Sequence, residues 1–166
     1  SCLEYGCGLG RVTRWLAERF GVVYGYDISQ AHLQGAEDYL VSKQIGNVTL
    51  HHIKKVKDIM NLPQVDLIYS VIVLQHNPPP IISLIIREFI KSLNLGGVAF
   101  FQVPTYRIDY SFCLKSYLDN EATEQQIEMH VLPQREIFEI VRQEGAKVLE
   151  VLEDGFKKTT SKKGRP

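Results

Sequence analysis

The things this sequence has little of narrow its chemistry first. Three cysteines stand in 166 residues, Cys2, Cys7 and Cys113. Their number is odd and their spacing matches no metal-binding pattern, so neither a disulfide framework nor a bound metal is expected, and a reduced, cytoplasmic setting is. No charge of one sign is in excess: 19 Lys and Arg balance 19 Asp and Glu. Such a chain has no overall field to gather nucleic acid or an anionic membrane, and neither is expected as a partner. No apolar run approaches the roughly 20 residues needed to span a bilayer. The stretch from Val65 to Leu74 is broken by Asp66 and Tyr69. No basic segment followed by an apolar block opens the chain, so no secretory signal is visible. There is no internal repeat, and nothing in the pattern speaks to oligomeric state.

The length suits one domain with a sizeable core. Its most informative stretch is at the start. A short apolar run from Cys2 to Tyr5 carries Glu4, and glycines follow at alternate positions, Gly6, Gly8 and Gly10. Arg11 to Phe20 then reads as a helix, with Val12, Trp15, Leu16 and Phe20 spaced along one face. Strand, glycine loop and helix together let backbone approach a ligand at a helix start. The dinucleotide fingerprint needs glycine at its first, third and sixth positions. Counted from Gly6, the sixth position is Arg11. Asp27 closes the next apolar run, Val22 to Tyr26, about 20 residues on, where an acid meets ribose hydroxyls in mononucleotide-type sites.

The pattern Glu4-x-Gly6-x-Gly8-x-Gly10, followed by Tyr26-Asp27-Ile28-Ser29, resembles the first two motifs of the class I S-adenosylmethionine-dependent methyltransferases. The resemblance extends to about Asp154. It implies an α/β fold, a doubly wound and mostly parallel sheet with helices on both faces, and S-adenosylmethionine as cofactor. It also implies site roles. Glu4 and the loop Gly6, Cys7, Gly8 and Gly10 would hold the methionyl region, Asp27 the ribose, and Ile28 the adenine. The main chain around Ser70 and Val71 would lie under the reaction centre. Members of the family usually carry a helix before the first strand and a final antiparallel strand. Here the first is missing and the second is poorly matched, so an exposed apolar sheet face or edge is expected. The family often places an acid just after the third strand, where this sequence has Lys54 and Lys55, with Asp58 later.

The remaining elements follow from periodicity and punctuation. Ser29 caps a helix running to about Ile45, with Gly35 as a local cost within it. Val48 to Ile53 is a third strand, bearing His51 and His52. Val65 to Ser70 is a fourth, apolar enough to be central in a parallel sheet. Asn77-Pro78-Pro79-Pro80 precedes a helix from Ile81 to Leu93 that is apolar almost all round. Leu95-Gly96-Gly97 is a turn, and Val98 to Val103 a fifth strand. Pro133 starts a helix to about Glu144, and Lys147 to Glu153 alternates as a strand should. The methyltransferase domain is thus expected over 1–154, with a lid-like insertion at 104–130 and a flexible tail at 155–166.

Methyl transfer from a sulfonium asks the protein to orient the acceptor and take up a proton. His76, just after the fourth strand, is the candidate base, by residue type and by its place at the carboxyl edge. His130 is a second imidazole within reach. Tyr106, Arg107, Tyr110 and His130 in the insertion are candidate contacts to a small or medium-sized substrate. An Asn-Pro-Pro motif for amino-group methylation would require the motif at the strand end with an aromatic after it. Asn77 comes about two helical turns late and is followed by prolines. Cys7 fits a tight loop better than a nucleophile's role. Two rivals stand beside methyl transfer: a non-catalytic S-adenosylmethionine-binding or scaffold domain, and a nicotinamide-dependent oxidoreductase, which the sixth-position Arg11 disfavours.

Overall fold

The computed structural model describes residues 1–119 and 128–153. Its elements are β1 (Cys2–Tyr5), α1 (Arg11–Ala17), β2 (Val23–Asp27), α2 (Gln30–Ser42), β3 (Val48–His52), α3 (Val56–Ile59), β4 (Val65–Ser70), a 3-10 turn (Leu74–His76), α4 (Pro79–Lys91), β5 (Leu93–Phe101), α5 (Leu114–Asp119) and α6 (Gln134–Gln143). The five strands form one sheet in the order β3-β2-β1-β4-β5, parallel throughout. From β1 the chain winds outward through β2 and β3, then returns to β4 on the other side. The loops leaving β1 and β4 therefore diverge, which opens a crevice at the carboxyl edge of the sheet. The tail expected at 155–166 lies outside the described residues.

Alternation along the strands sends side chains to two layers. Leu3, Tyr5 and Ile68 join Ile82, Ile85, Ile86 and Phe89 of α4 and Ile137 and Ile140 of α6 in the larger core. The Phe89 ring stands edge-on to Tyr5, centroids 5.2 Å apart. On the other face Cys2 and Val23 meet Leu16 of α1. Farther along this second face, Phe100 stacks on Tyr69 at 5.6 Å, yet Val98 and Phe100 stay exposed. This is an apolar surface that no element among the described residues covers.

Several boundaries differ from the sequence reading, each for a tertiary reason. Helix α1 buries Thr13 and Leu16, whereas Val12 and Trp15, expected on the inner face, are exposed. The helix is rotated because the Thr13 hydroxyl reaches the carboxylate of Glu4 on β1. Helix α4 begins at Pro79 and ends at Lys91. Leu93, expected in that helix, instead pairs with Val65 to open β5. The expected turn at Leu95–Gly97 survives as an irregularity inside the strand, after which Val98 pairs with Leu67. Lys147 to Glu153 forms no strand; Leu149, Val151 and Leu152 are exposed. Alternation marks a segment able to pair, but a strand needs a neighbour for its backbone groups.

Two local devices fasten the site's scaffold. The Ser29 hydroxyl caps α2 by accepting from the His32 N–H at 3.2 Å. Ser29→Ala should lower stability by about 1 kcal/mol, read as a shifted urea midpoint at constant slope; no shift would mean that the cap contributes nothing. Gly35, read as a cost to α2, has a structural reason. A Cβ there would sit 2.8 Å from Leu9, and one at Gly10 would lie 3.2 Å from Ala36. The small residues of α2 let the glycine loop lie against it.

Candidate functional site

The loop from β1 to α1 is shaped by backbone that only glycine adopts readily. Gly6, Gly8 and Gly10 have φ of 82°, 52° and 76°. At Gly6 there is no room for a side chain, since a Cβ would meet Val73 at 2.2 Å. At Gly8 the reverse holds, and a Cβ would meet nothing within 4 Å. The loop thus leans on the segment after β4 on one side and faces open space on the other.

Its N–H groups are largely spent within the protein. Gly6 and Cys7 both donate to the Tyr26 carbonyl, at 2.7 and 3.0 Å, and Gly10 donates to the Cys7 carbonyl at 2.9 Å. Gly8 donates to Asp27 Oδ2 at 2.8 Å. The other Asp27 oxygen accepts from the Ser29 N–H at 2.8 Å. Asp27 ends β2 as expected and braces the glycine loop. A carboxylate offers about four lone-pair positions, so two remain for a ligand. Ile28, next to it, is 75% exposed beside the crevice.

Glu4 lies beneath the loop, 4% exposed, and accepts from the Thr13 hydroxyl at 2.5 Å. Burial pushes its carboxyl up to about 7, against the lowering effect of Thr13, with nearby Asp27 adding to the rise. Its role is to support the loop from the α1 side. Cys7 is also buried, its side chain 3.2 Å from where a Gly25 Cβ would stand. Burial pushes its thiol up to about 12, which suits a packing residue and not a nucleophile.

Ser70 and Val71 lead from β4 into the crevice. The Ser70 hydroxyl donates to the Tyr5 carbonyl at 2.9 Å and is buried, so only main chain is on offer there. Ile72 follows with φ 61°, an uncommon conformation for a β-branched residue that costs about 1–3 kcal/mol. Gln102 helps to hold it, accepting from the Ile72 N–H at 3.2 Å. The side chains of Thr13, Val73 and Gln102 all shape the site, and no spacing rule in the sequence singles them out.

The acceptor-side candidates are distributed unevenly. His76 ends the 3-10 turn, exposed, with Nδ1 2.9 Å from the Glu128 carbonyl. A carbonyl only accepts, so in a neutral ring the proton sits on Nδ1 and Nε2 is the acceptor nitrogen. Arg107 donates to the Met129 carbonyl at 3.2 Å, and Tyr106 is exposed. His130 is buried and donates its backbone N–H to the Gln75 carbonyl at 2.7 Å. Its ring lies between Tyr110 and Glu128. The segment 128–132 thereby runs beside the turn after β4 and beside Pro104. Residues 120–127 of the expected insertion lie outside the described residues.

Asp58, offered by sequence near the adenine position, accepts from the Lys54 and Lys55 N–H groups and organises its own loop before α3. His51 on β3 stacks on Tyr26 at 4.6 Å, and burial lowers its basicity. Among the described residues no group of three or more His, Cys, Asp or Glu could hold a metal ion, and no helix is long and apolar enough to cross a membrane.

The topology thus places the glycine loop and the acid that ends β2 at the switch point of the sheet. The family model described as a methyltransferase domain matches residues 2–97, more than half of the chain. No curated protein matches it. Among solved structures, magnesium protoporphyrin IX methyltransferase from Synechocystis PCC 6803 with bound SAH is similar at TM-score 0.64 and 18% identity, over 87% of this chain and 63% of that one. An S-adenosylmethionine-dependent methyltransferase from Clostridium acetobutylicum ATCC 824 follows at 0.56 and 25%, over 63% and 43%. The [4+2]-cyclase SpnF is similar at 0.65 and 18%, over 90% and 51%. The chain therefore spans less than two thirds of each of these proteins. With its five parallel strands, glycine loop and family match together, the chain belongs to the class I S-adenosylmethionine-dependent methyltransferase family.

Proposed function

We propose that this chain binds S-adenosylmethionine in the crevice between the β1 and β4 loops and transfers its methyl group to a small or medium-sized molecule. The observation that carries this reading is the internal use of the loop's N–H groups. A dinucleotide site keeps such donors for a pyrophosphate. Here the Gly6, Cys7, Gly8 and Gly10 donors are bound to Tyr26, Asp27 and Cys7. The loop offers close approach without anion capture, which suits an adenosyl ligand that has no phosphate.

The residues present fit that ligand. The open side of Gly8 admits it, Asp27 keeps acceptor positions for a ribose diol, and exposed Ile28 supplies an apolar contact for a base. Glu4 and Cys7 act from beneath, and Ser70 and Val71 contribute main chain. When bound, the cofactor would supply an electrophilic methyl group, taken in line by the acceptor with the thioether sulfur as leaving group. The protein's own task is to orient the acceptor, with Tyr106 and Arg107 at the carboxyl edge, and to remove its proton. His76, after β4, and His130, on the segment beside it, are the candidate imidazoles for that step. Three unpaired cysteines, two of them buried, suit a cytoplasmic setting.

Calorimetry with S-adenosylhomocysteine and with NAD tests the reading. The first should bind and the second should not; NAD binding alone would overturn it. Asp27→Ala should weaken S-adenosylhomocysteine by about 1–2 kcal/mol, the net value of one or two hydrogen bonds. Unchanged affinity would remove Asp27 from the site.

A further inference from the structure

His130 is held unlike any other histidine in the chain. Tyr110 Oη lies 3.0 Å from its Nδ1, and Glu128 Oε2 lies 2.9 Å from its Nε2. Phe112 and Tyr117 pack against its ring, with centroids 5.7 and 5.9 Å away. Burial first, and Glu128 second, raise the Tyr117 hydroxyl above its ordinary value. A carboxylate only accepts, so a neutral His130 carries its proton on Nε2, toward Glu128, and presents Nδ1 as an acceptor. Tyr110 then donates to Nδ1, and the remaining lone pairs of its oxygen face outward from the relay. His130 is buried while Tyr110 is half-buried, so Tyr110 is the member able to meet another molecule on the Nδ1 side. The arrangement has the logic of a nucleophile, base and orienting acid in sequence.

We propose that Tyr110, His130 and Glu128 form a proton relay that activates a hydroxyl-bearing acceptor, an alcohol or a phenol. This rests on the methyl-transfer reading above. The acceptor O–H bond breaks and its proton goes to Tyr110 Oη. The proton of Tyr110 goes to His130 Nδ1, and Glu128 stabilises the imidazolium until solvent removes that proton. The freed electron pair on the acceptor oxygen forms the new O–C bond as the methyl carbon's bond to sulfur breaks and its pair stays on sulfur. A neutral amine already has a lone pair for attack and can lose its proton afterwards. A hydroxyl is a poor nucleophile until its proton is leaving, so a prearranged acceptor of that proton matches an oxygen substrate. Tyr110 is the catalytic residue in this scheme; His130 and Glu128 position and charge it. Among the described residues, Arg107 on the Met129 carbonyl and His76 on the Glu128 carbonyl are further charged or titratable side chains bonded to the main chain of the segment that carries His130.

Two readouts test the relay. Nitrogen-15 spectra of histidine-labelled chain should show neutral His130 protonated on Nε2, with an Nδ1 signal that moves in Tyr110→Phe. Protonation on Nδ1, or an Nδ1 signal indifferent to Tyr110→Phe, would overturn the proposal whether or not any methyl acceptor is found. The second readout is methyl transfer from S-adenosylmethionine to a panel of phenols and primary alcohols. Tyr110→Phe and His130→Gln should each lower kcat about 100-fold, the scale of general-base catalysis. Loss should lessen as pH rises and the acceptor ionises unaided. S-adenosylhomocysteine affinity should be retained, showing that the variants fold. A raised KM at unchanged kcat, or transfer to amines alone, would overturn the relay while leaving the methyl-transfer reading in place. Failure of S-adenosylhomocysteine to bind the unaltered chain would instead overturn that reading.

Discussion

Gly6→Ala is expected to destabilise the protein by about 3 kcal/mol, from two costs that act together. A left-handed backbone costs an alanine about 1–2 kcal/mol, and Gly6 has φ 82°. Packing an extra methyl into a filled space costs about 1–3 kcal/mol more, and the new Cβ would lie 2.2 Å from a Val73 methyl. Gly8→Ala separates the two effects. Its φ of 52° brings the backbone cost, but no atom stands within 4 Å of its Cβ. That variant should lose only about 1 kcal/mol of stability and yet bind S-adenosylhomocysteine about tenfold more weakly, because its methyl enters the ligand's space. Urea unfolding and calorimetry on both variants check this. Equal destabilisation of the two would show that the loop moves off Val73. Unchanged affinity in Gly8→Ala would place the ligand elsewhere.

Stability should fall between mildly acidic and neutral pH, with Glu4 as the cause. Burial raises its folded carboxyl from 4.5 to about 7, opposed by Thr13 and reinforced by Asp27. Between those values the folded state binds more protons than the unfolded state. The unfolding free energy therefore decreases as pH rises through this window and levels off above it. From pH 5.5 to pH 8 the loss attributable to Glu4 is about 2 kcal/mol, at 1.36 kcal/mol per pH unit. Glu4→Gln keeps an acceptor for the Thr13 hydroxyl but cannot ionise. It should be the more stable protein at pH 8, with the difference nearly gone at pH 4, below both values. Parallel pH profiles for both proteins would show that Glu4 does not titrate in this window.

The strands and most helices were legible because each rule acts within a few residues. Val65 to Ser70 is apolar enough for a central parallel strand, and Ser29 starts α2 through its own hydroxyl. The glycine loop and Asp27 were legible as a pair because close approach and positive φ select glycine wherever they occur. The face of α1 was legible only in part, since Leu16 and Phe20 pack inward as expected. Val12 and Trp15 look inward by spacing, but the Thr13–Glu4 contact turns the helix, and that contact depends on β1 lying beneath it. The strand expected at Lys147 to Glu153 failed for a related reason: alternation describes one chain, whereas a ladder needs two.

By itself, then, the sequence determined the order of the five strands and of the helices α1, α2, α4 and α6, the loop conformation at its glycines and the family to which the motifs point. These depend on local sterics and on spacing along one chain. The tertiary structure decided which groups meet across long separations. It placed Val73 against Gly6, Gln102 against Ile72, and Tyr110 against His130. It also decided that the loop's N–H groups are bound to Tyr26 and Asp27. Such contacts arise only when parallel strands bring distant loops to one edge of the sheet, and no local periodicity encodes them.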